Sequence, residues 1–257
     1  MSRKKKLVTS YQTMGMLLIN DLDKILADLT AYKDPKFLIE KYSSLIDTSN
    51  VNKLELDKYH HILIGISQIE KKLKRYPIYF AEFYPVTDDK IDEREALKHH
   101  IHAYLEDSDI LKNKLNAFLG SLKNDIIKKA SNKKEVKEAM AFLIGEVDKA
   151  FNSVCTQRGQ HHHMGMEFVD SDLVDAEFAD TALSSPLKDS LKPEFLAKLE
   201  LERTQYFDTA KQKWINISSN NSLQLDGIIN HVFTSIKDWL YDLLGITPFV
   251  DKFIKQR

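Results

Sequence analysis

Hydrophobic residues recur at alternating spacings of three and four along most of the chain, which is the period of an amphipathic α-helix. A first stripe covers residues 18–32, a shorter one covers 37–46, and a longer one covers 56–73. Polar residues at 47–50 separate the second stripe from the third. The pattern therefore predicts three helices in the first 73 residues.

The hydrophobic pattern does not decide the secondary structure of two later segments. Residues 78–84 are mostly aromatic or aliphatic and lie between Pro77 and Pro85, so a short strand, a turn of helix or an apolar loop would each fit. Residues 91–129 carry one long helical stripe, but the polar run at 106–109 would allow either one helix or two.

The following helix ends in an unusual group of side chains. Residues 131–132 provide capping side chains, and an apolar stripe then runs over residues 136–154. The next positions on that face are Arg158, His161 and His162. These groups must be capped, paired or exposed in a cleft or subunit interface, because an unpaired buried charge is costly.

The C-terminal third begins with an acidic segment. Residues 167–180 contain six carboxylates and no basic residue. A proline-containing connector at 184–193 follows, after which the pattern predicts two amphipathic helices, at 196–217 and 225–243. Gly245 stands just past the second of them, where helices commonly end.

Composition favours helices throughout. Eight glycines and six prolines in 257 residues are too few for a turn-rich β fold, and 43% hydrophobic residues suit a protein with a sizeable core. Short connections between helices favour antiparallel neighbours, so we predict an all-α antiparallel helix bundle with additional C-terminal helices. Residues 10–183 and 184–257 could form two domains, and one single domain fits equally well.

Charge and motif content exclude several function classes. The net charge of −1 gives no global attraction to nucleic acid, so RNA binding requires a local basic patch. No P-loop, Rossmann glycine pattern or paired-cysteine zinc motif occurs, and no small-molecule cofactor or metal is predicted. The single Cys155 and the absence of an 18-residue apolar run predict a cytoplasmic protein without a membrane span.

Arg158 and His163, separated by four residues near the end of a helix, resemble the Arg-x(4–6)-His motif of the HEPN superfamily. The resemblance implies a helical-bundle domain, and many members are metal-independent endoribonucleases that dimerise to bring two motifs together. It implies that His163 acts as general acid or base on the ribose 2′-hydroxyl or the leaving oxygen, while Arg158 holds the scissile phosphate. RNA and a second copy of the chain are the expected partners.

Helix geometry leaves open which histidine works with Arg158. A continuous helix puts His162 on the face of Arg158, because the two are four residues apart, and turns position 163 about 140° away. If Gly159 ends the helix, His163 can meet the arginine instead. The motif resemblance favours His163.

The charged residues on either side of this helix also have two interpretations. The lysines of the turn before this helix could follow an RNA backbone or simply be solvated; the candidates are Lys128, Lys129, Lys133 and Lys134. The acids of 167–180 would repel a phosphate, unless they pair with cations of their own chain.

Two further hypotheses concern the same histidines. A metal site could form from residues 161–163 with histidines at 99–102, although neighbours on a helix point about 100° apart, so at most two of the three could serve one ion. Alternatively the chain is a non-enzymatic interaction or scaffold protein, in which Arg158 pairs with Asp170 or Asp172. The histidines would then cap the end of the helix.

Overall fold

The computed structural model describes residues 53–84, 92–163 and 170–245. Every regular element there is helical and no strand occurs among these residues, which confirms the all-α prediction. The helices are α1 (Lys53–Leu73), α2 (Tyr76–Glu82), α3 (Glu93–Lys129), α4 (Lys133–His163), α5 (Ser171–Ser184) and α6 (Pro193–Leu244), with a 3-10 helix at Pro186–Ser190. The helices predicted at 18–32 and 37–46 lie outside the described residues.

Within the described residues, the two segments that the hydrophobic pattern did not assign are helical, apart from residues 83–84 and 92. Residues 76–82 form α2, with Pro77 in its first turn, where a missing backbone N–H costs nothing. The polar run at 106–109 does not interrupt α3. Ser108 donates its hydroxyl to the carbonyl of Tyr104 at 2.8 Å, and the buried carboxylate of Asp107 accepts hydrogen bonds from Tyr76 and Lys72.

The prediction of two C-terminal helices was wrong, because α6 is one helix of 52 residues. Its polar stretch at 218–222 remains helical since the side chains find partners. Ser218 donates to the carbonyl of Trp214 at 2.8 Å, and Ser222 donates to that of Ser218 at 2.8 Å. Asn221 donates its amide to the hydroxyl of Tyr104 at 2.8 Å. Gly245 ends the helix with a φ of 70°, as predicted.

The chain divides into two compact units built from discontinuous segments. Among the described residues, the first unit comprises 53–68, 112–149 and 227–245, and the second comprises 69–84, 92–111, 150–163 and 170–226. The domain boundary predicted at residue 184 falls within the second unit, next to the 3-10 helix. Whether residues 10–183 and 184–257 fold separately stays a prediction.

The core of the first unit is aliphatic with a few aromatic rings. Phe118 is fully buried, and its ring lies 5.9 Å from that of Tyr59 and 5.6 Å from that of Phe233. The predicted stripe of α4 is buried here as well, at positions that include Met140 and Val147. Burial of these apolar faces is the main stabilising term for such a bundle.

The core of the second unit is centred on aromatic residues. Tyr104 lies 5.2 Å from Tyr76, 6.0 Å from Phe80 and 6.3 Å from Trp214, measured between ring centroids. All three contacts are edge-on, the geometry that aromatic pairs prefer.

Within the described ranges, no helix has a segment of the length and apolarity needed to cross a bilayer.

Candidate functional site

The helix that carries the motif is α4, and its beginning agrees with the predicted cap. The side-chain oxygen of Asn132 accepts a hydrogen bond from the backbone N–H of Glu135 at 3.2 Å. The Asn132 amide donates in return to the Glu135 carboxylate at 2.9 Å. This reciprocal pair satisfies one of the unpaired N–H groups of the first turn and fixes where α4 starts.

The same helix extends through Gly159 without a break and reaches His163. By the helical period, positions 158 and 162 share one face of α4, and position 163 is turned about 140° from position 158. The side chains of Arg158 and of the three histidines, like that of Cys155, lie outside the described residues. The assignment of His163 or His162 as the partner of Arg158 stays a prediction.

The first described acids after the motif, Asp170 and Asp172, have a partner on α6. Asp170 is buried, caps α5 by accepting from the backbone N–H of Asp172 at 3.1 Å, and accepts the indole N–H of Trp214 at 2.9 Å. The ammonium of Lys213 lies 3.0 Å from Asp170 and 3.5 Å from Asp172. Burial by itself lowers the pKa of Lys213, but the hydrogen bonds and negative charges of Asp170 and Asp172 together outweigh burial and raise the pKa above its usual value.

Two further acids of the segment hold α5 to other helices of the second unit. The carboxylate of Asp180 lies 2.7 Å from the guanidinium of Arg94 and 3.2 Å from that of Arg203. Burial raises the pKa of Asp180, but the two arginines overcome this effect and hold it below its usual value. Lys98 pairs with Glu177 at 2.6 Å. These four described carboxylates therefore face cations of their own chain, which reduces the repulsion they could exert on a phosphate.

The four predicted RNA-binding lysines all lie at the turn between α3 and α4 and belong to the first unit. Lys128 pairs with Asp125 at 2.9 Å and Lys134 with Glu138 at 3.8 Å. Lys129 and Lys133 are exposed and have no ion pair with any described residue. Positions 158–163 belong to the second unit, so neither unit contains both the lysines and the Arg-His motif.

A cavity of about 320 Å³ opens beside this lysine-rich turn. Its apolar lining comes from Ile126, Val136 and Leu243, and its polar lining includes Lys129 and Asn132, with the half-buried indole of Trp239 beside them. Sequence reasoning missed this cavity because α6 supplies part of the wall and is distant in sequence. The only available signal was a tryptophan on the last amphipathic stripe, close to the end of the helix.

The hypothesis of a metal site has no support within the described ranges. No group of three histidine, cysteine or carboxylate side chains there is arranged so that it could hold an ion. The ring nitrogen Nε2 of His100, one of the histidines considered for such a site, lies 2.7 Å from the backbone carbonyl oxygen of Phe83.

Comparison of the chain with protein-family models, with curated proteins and with solved structures finds no match.

Proposed function

We propose that this protein is an RNA-directed, HEPN-like helical protein whose endoribonuclease activity depends on Arg158 and on His162 or His163. The observation that carries the proposal is the course of α4. Its apolar face is buried at Val147 and Val154, and the unbroken helix continues the same face to position 158. An arginine at that position needs a cleft, a partner or a second copy of the chain, since burial without compensation is costly.

The chemistry assigned to the pair is acid–base cleavage of an RNA strand. The histidine removes the proton of a ribose 2′-hydroxyl, and the 2′-oxygen then attacks the adjacent phosphorus. As the new O2′–P bond forms, the P–O5′ bond breaks, and the leaving 5′-oxygen takes a proton from a second histidine. Arg158 neutralises the charge that develops on the phosphate oxygens. The products are a 2′,3′-cyclic phosphate and a free 5′-hydroxyl.

A homodimer would supply the second histidine. One imidazole cannot take the proton of the 2′-hydroxyl and protonate the leaving 5′-oxygen in a single step, because these oxygens lie on opposite sides of the phosphorus. Two copies of the motif therefore divide the roles. The pKa of an ordinary histidine lies near neutral pH, which suits both roles.

The ion pairs of α5 bear on whether RNA can approach. Asp170 and Asp180 are each flanked by cations from neighbouring helices of the second unit. Their negative charge is therefore compensated within the chain, and the acidic segment after the motif does not present six free carboxylates to an incoming phosphate.

The same contacts favour one rival function, a non-enzymatic scaffold. The acids of α5 connect it to α3 through Arg94 and to α6 through Arg203, as an architectural element would require. In that case Arg158 is a further structural cation and substitution of the histidines affects stability only.

The two hypotheses are separated by incubating the purified full chain with 5′-labelled single-stranded RNA in EDTA. We expect cleavage by the wild type and a loss of about 100-fold or more for Arg158→Ala, the scale of one acid–base or charge contribution. If the continuous helix sets the partner, His162→Ala loses more activity than His163→Ala. His99→Ala, an exposed histidine on α3, serves as the matched control and keeps full activity.

Two outcomes would sink the nuclease hypothesis. One is the absence of cleavage by the wild type, and the other is equal cleavage by the wild type and all motif variants, which would indicate a contaminating nuclease. Analysis of the product ends checks the mechanism, because a 3′-hydroxyl product is incompatible with attack by the 2′-oxygen. Light scattering during gel filtration tests the predicted homodimer.

A further inference from the structure

The cavity beside the α3–α4 turn combines an aromatic wall with an apolar interior. Trp239 is half-buried, and Ile126, Val136 and Leu243 complete the apolar lining. A flat ring can lie against an indole and exclude water from both surfaces. Nucleobases bind proteins in this manner when they are unpaired, and every base offers such a face.

The polar lining suits the rest of a nucleotide. Lys129 lines the cavity, is exposed, and has no ion pair with any described residue, so its ammonium is available to a phosphate. Ser131 and Asn132 add hydroxyl and amide groups at the same turn.

Carboxylates in the lining favour particular bases. Glu135 accepts one hydrogen bond from Asn132 at 2.9 Å, and a carboxylate has about four acceptor sites, so further donors can be accommodated. Asp242 contributes a second carboxylate to the lining. Carboxylates accept hydrogen bonds from exocyclic amino groups, which adenine, cytosine and guanine carry and uracil lacks.

The volume limits the ligand to a small one. About 320 Å³ lies at the lower end of the range for ligand pockets, enough for a single nucleotide and too little for a paired helix. We propose that the α3–α4 cavity binds one unpaired nucleotide with an amino-bearing base, the base against Trp239 and the phosphate at Lys129. This inference rests on the proposed function in taking an RNA strand, rather than a free mononucleotide, as the source.

Tryptophan fluorescence provides the test. The chain has two tryptophans, and Trp214 is only 1% exposed in the core of the second unit, so a ligand in the cavity quenches the emission of Trp239. The full chain is titrated with AMP, UMP, hexaadenylate and hexauridylate. We expect saturable quenching by AMP and hexaadenylate, with at least tenfold weaker binding of the uridine ligands. Trp239→Phe gives no indole quenching, and labelled hexaadenylate detects binding to it by anisotropy.

Three variants test the residues. Trp239→Ala, checked for folding by circular dichroism, lowers hexaadenylate affinity by about tenfold, the lower part of the range for one base stack. Lys129→Ala lowers it by a similar factor and reduces its salt dependence. Lys149→Ala is the matched control, because this exposed lysine of α4 pairs with Glu146 at 2.8 Å and does not line the cavity, so the hexaadenylate affinity of the variant is unchanged.

The outcomes separate the sources and the two proposals. Tighter binding of hexaadenylate than of AMP supports an RNA strand, and equal binding overturns it in favour of a free mononucleotide. Absence of quenching, together with unchanged anisotropy in Trp239→Ala and Lys129→Ala, overturns the cavity as a nucleotide site. Binding by Arg158→Ala without cleavage by any form contradicts the proposed nuclease alone, whereas cleavage without nucleotide binding contradicts this inference alone.

Discussion

Trp214 donates its indole N–H to the buried carboxylate of Asp170 at 2.9 Å, and this bond connects the middle of α6 to the start of α5. Asp170 also caps α5, so one carboxylate serves a helix terminus, an indole and the ammonium of Lys213. A buried carboxylate requires such partners, because each missing hydrogen bond leaves charge without solvation.

Substitution of Trp214 by Phe keeps most of the apolar volume and removes the donor. We expect the free energy of unfolding to fall by about 1–3 kcal/mol, the cost of leaving a buried polar group with one partner fewer. Urea denaturation followed by circular dichroism measures this loss. Trp239→Phe is the control and changes stability less, because the half-buried indole of Trp239 makes no hydrogen bond to a described residue. Equal losses in the two variants would contradict the role given to the Asp170 contact.

Continuity of α6 through its polar stretch predicts a strong response to proline. Ser219 lies within that stretch, and Ser219→Pro removes a helical hydrogen bond and introduces a steric clash, at a cost of about 3 kcal/mol or more. Ser219→Ala keeps the helix and changes stability by less than about 1 kcal/mol. Thermal unfolding of both variants checks this expectation. Tolerance of the proline would show that two helices meet there after all.

Asp125 gives the first unit a defined acid response. Burial raises the pKa of Asp125, but hydrogen bonds from Lys58, Lys128 and Tyr59 outweigh burial and hold the pKa well below its usual range. A carboxyl whose pKa is lower in the folded chain contributes its full stability above the unfolded pKa of about 3.9, and that contribution is lost as the pH falls.

We therefore expect Asp125→Asn to cost about 1–3 kcal/mol near pH 7, and the difference from wild type to narrow progressively below about pH 5. Chemical denaturation across pH 3–8 measures this trend. Asp148→Asn is the control, because Asp148 is exposed and accepts only from Asn116 among the contacts resolved, so its effect stays within about 0.5 kcal/mol. If the stability difference between Asp125→Asn and the wild type grows as the pH falls, the pKa of Asp125 is not lowered in the folded chain and the prediction is wrong.

Two glycines are expected to respond to alanine in opposite directions. Gly245 has a φ of 70°, so Gly245→Ala strains the end of α6 and destabilises by about 1 kcal/mol. Gly120 lies inside α3, and a Cβ added there meets no atom within 4 Å, so Gly120→Ala stabilises by about 0.5–1 kcal/mol. Differential scanning calorimetry of the pair checks both signs, and a shared direction would contradict the assignment.

The sequence by itself determined the helical class and the buried faces, because the 3.6-residue period records which side of each helix meets the core. The stripe of α1, with Leu63 and Ile66, and the stripe of α4, with Met140 and Val147, are both buried as predicted. The cap at Asn132 and the terminus at Gly245 were also readable, since both depend on local backbone chemistry.

Tertiary structure alone decided whether polar runs interrupt a helix. The stretches at 106–109 and 218–222 are both polar, as helix breaks often are, yet both are helical. Their side chains are hydrogen-bonded to other helices: Asp107 accepts from Tyr76, and Asn221 donates to Tyr104. Local pattern holds no information on such partners. The cavity that joins Lys129 to Trp239 likewise depends on two helices that only folding brings together, and no period along the chain could have revealed it.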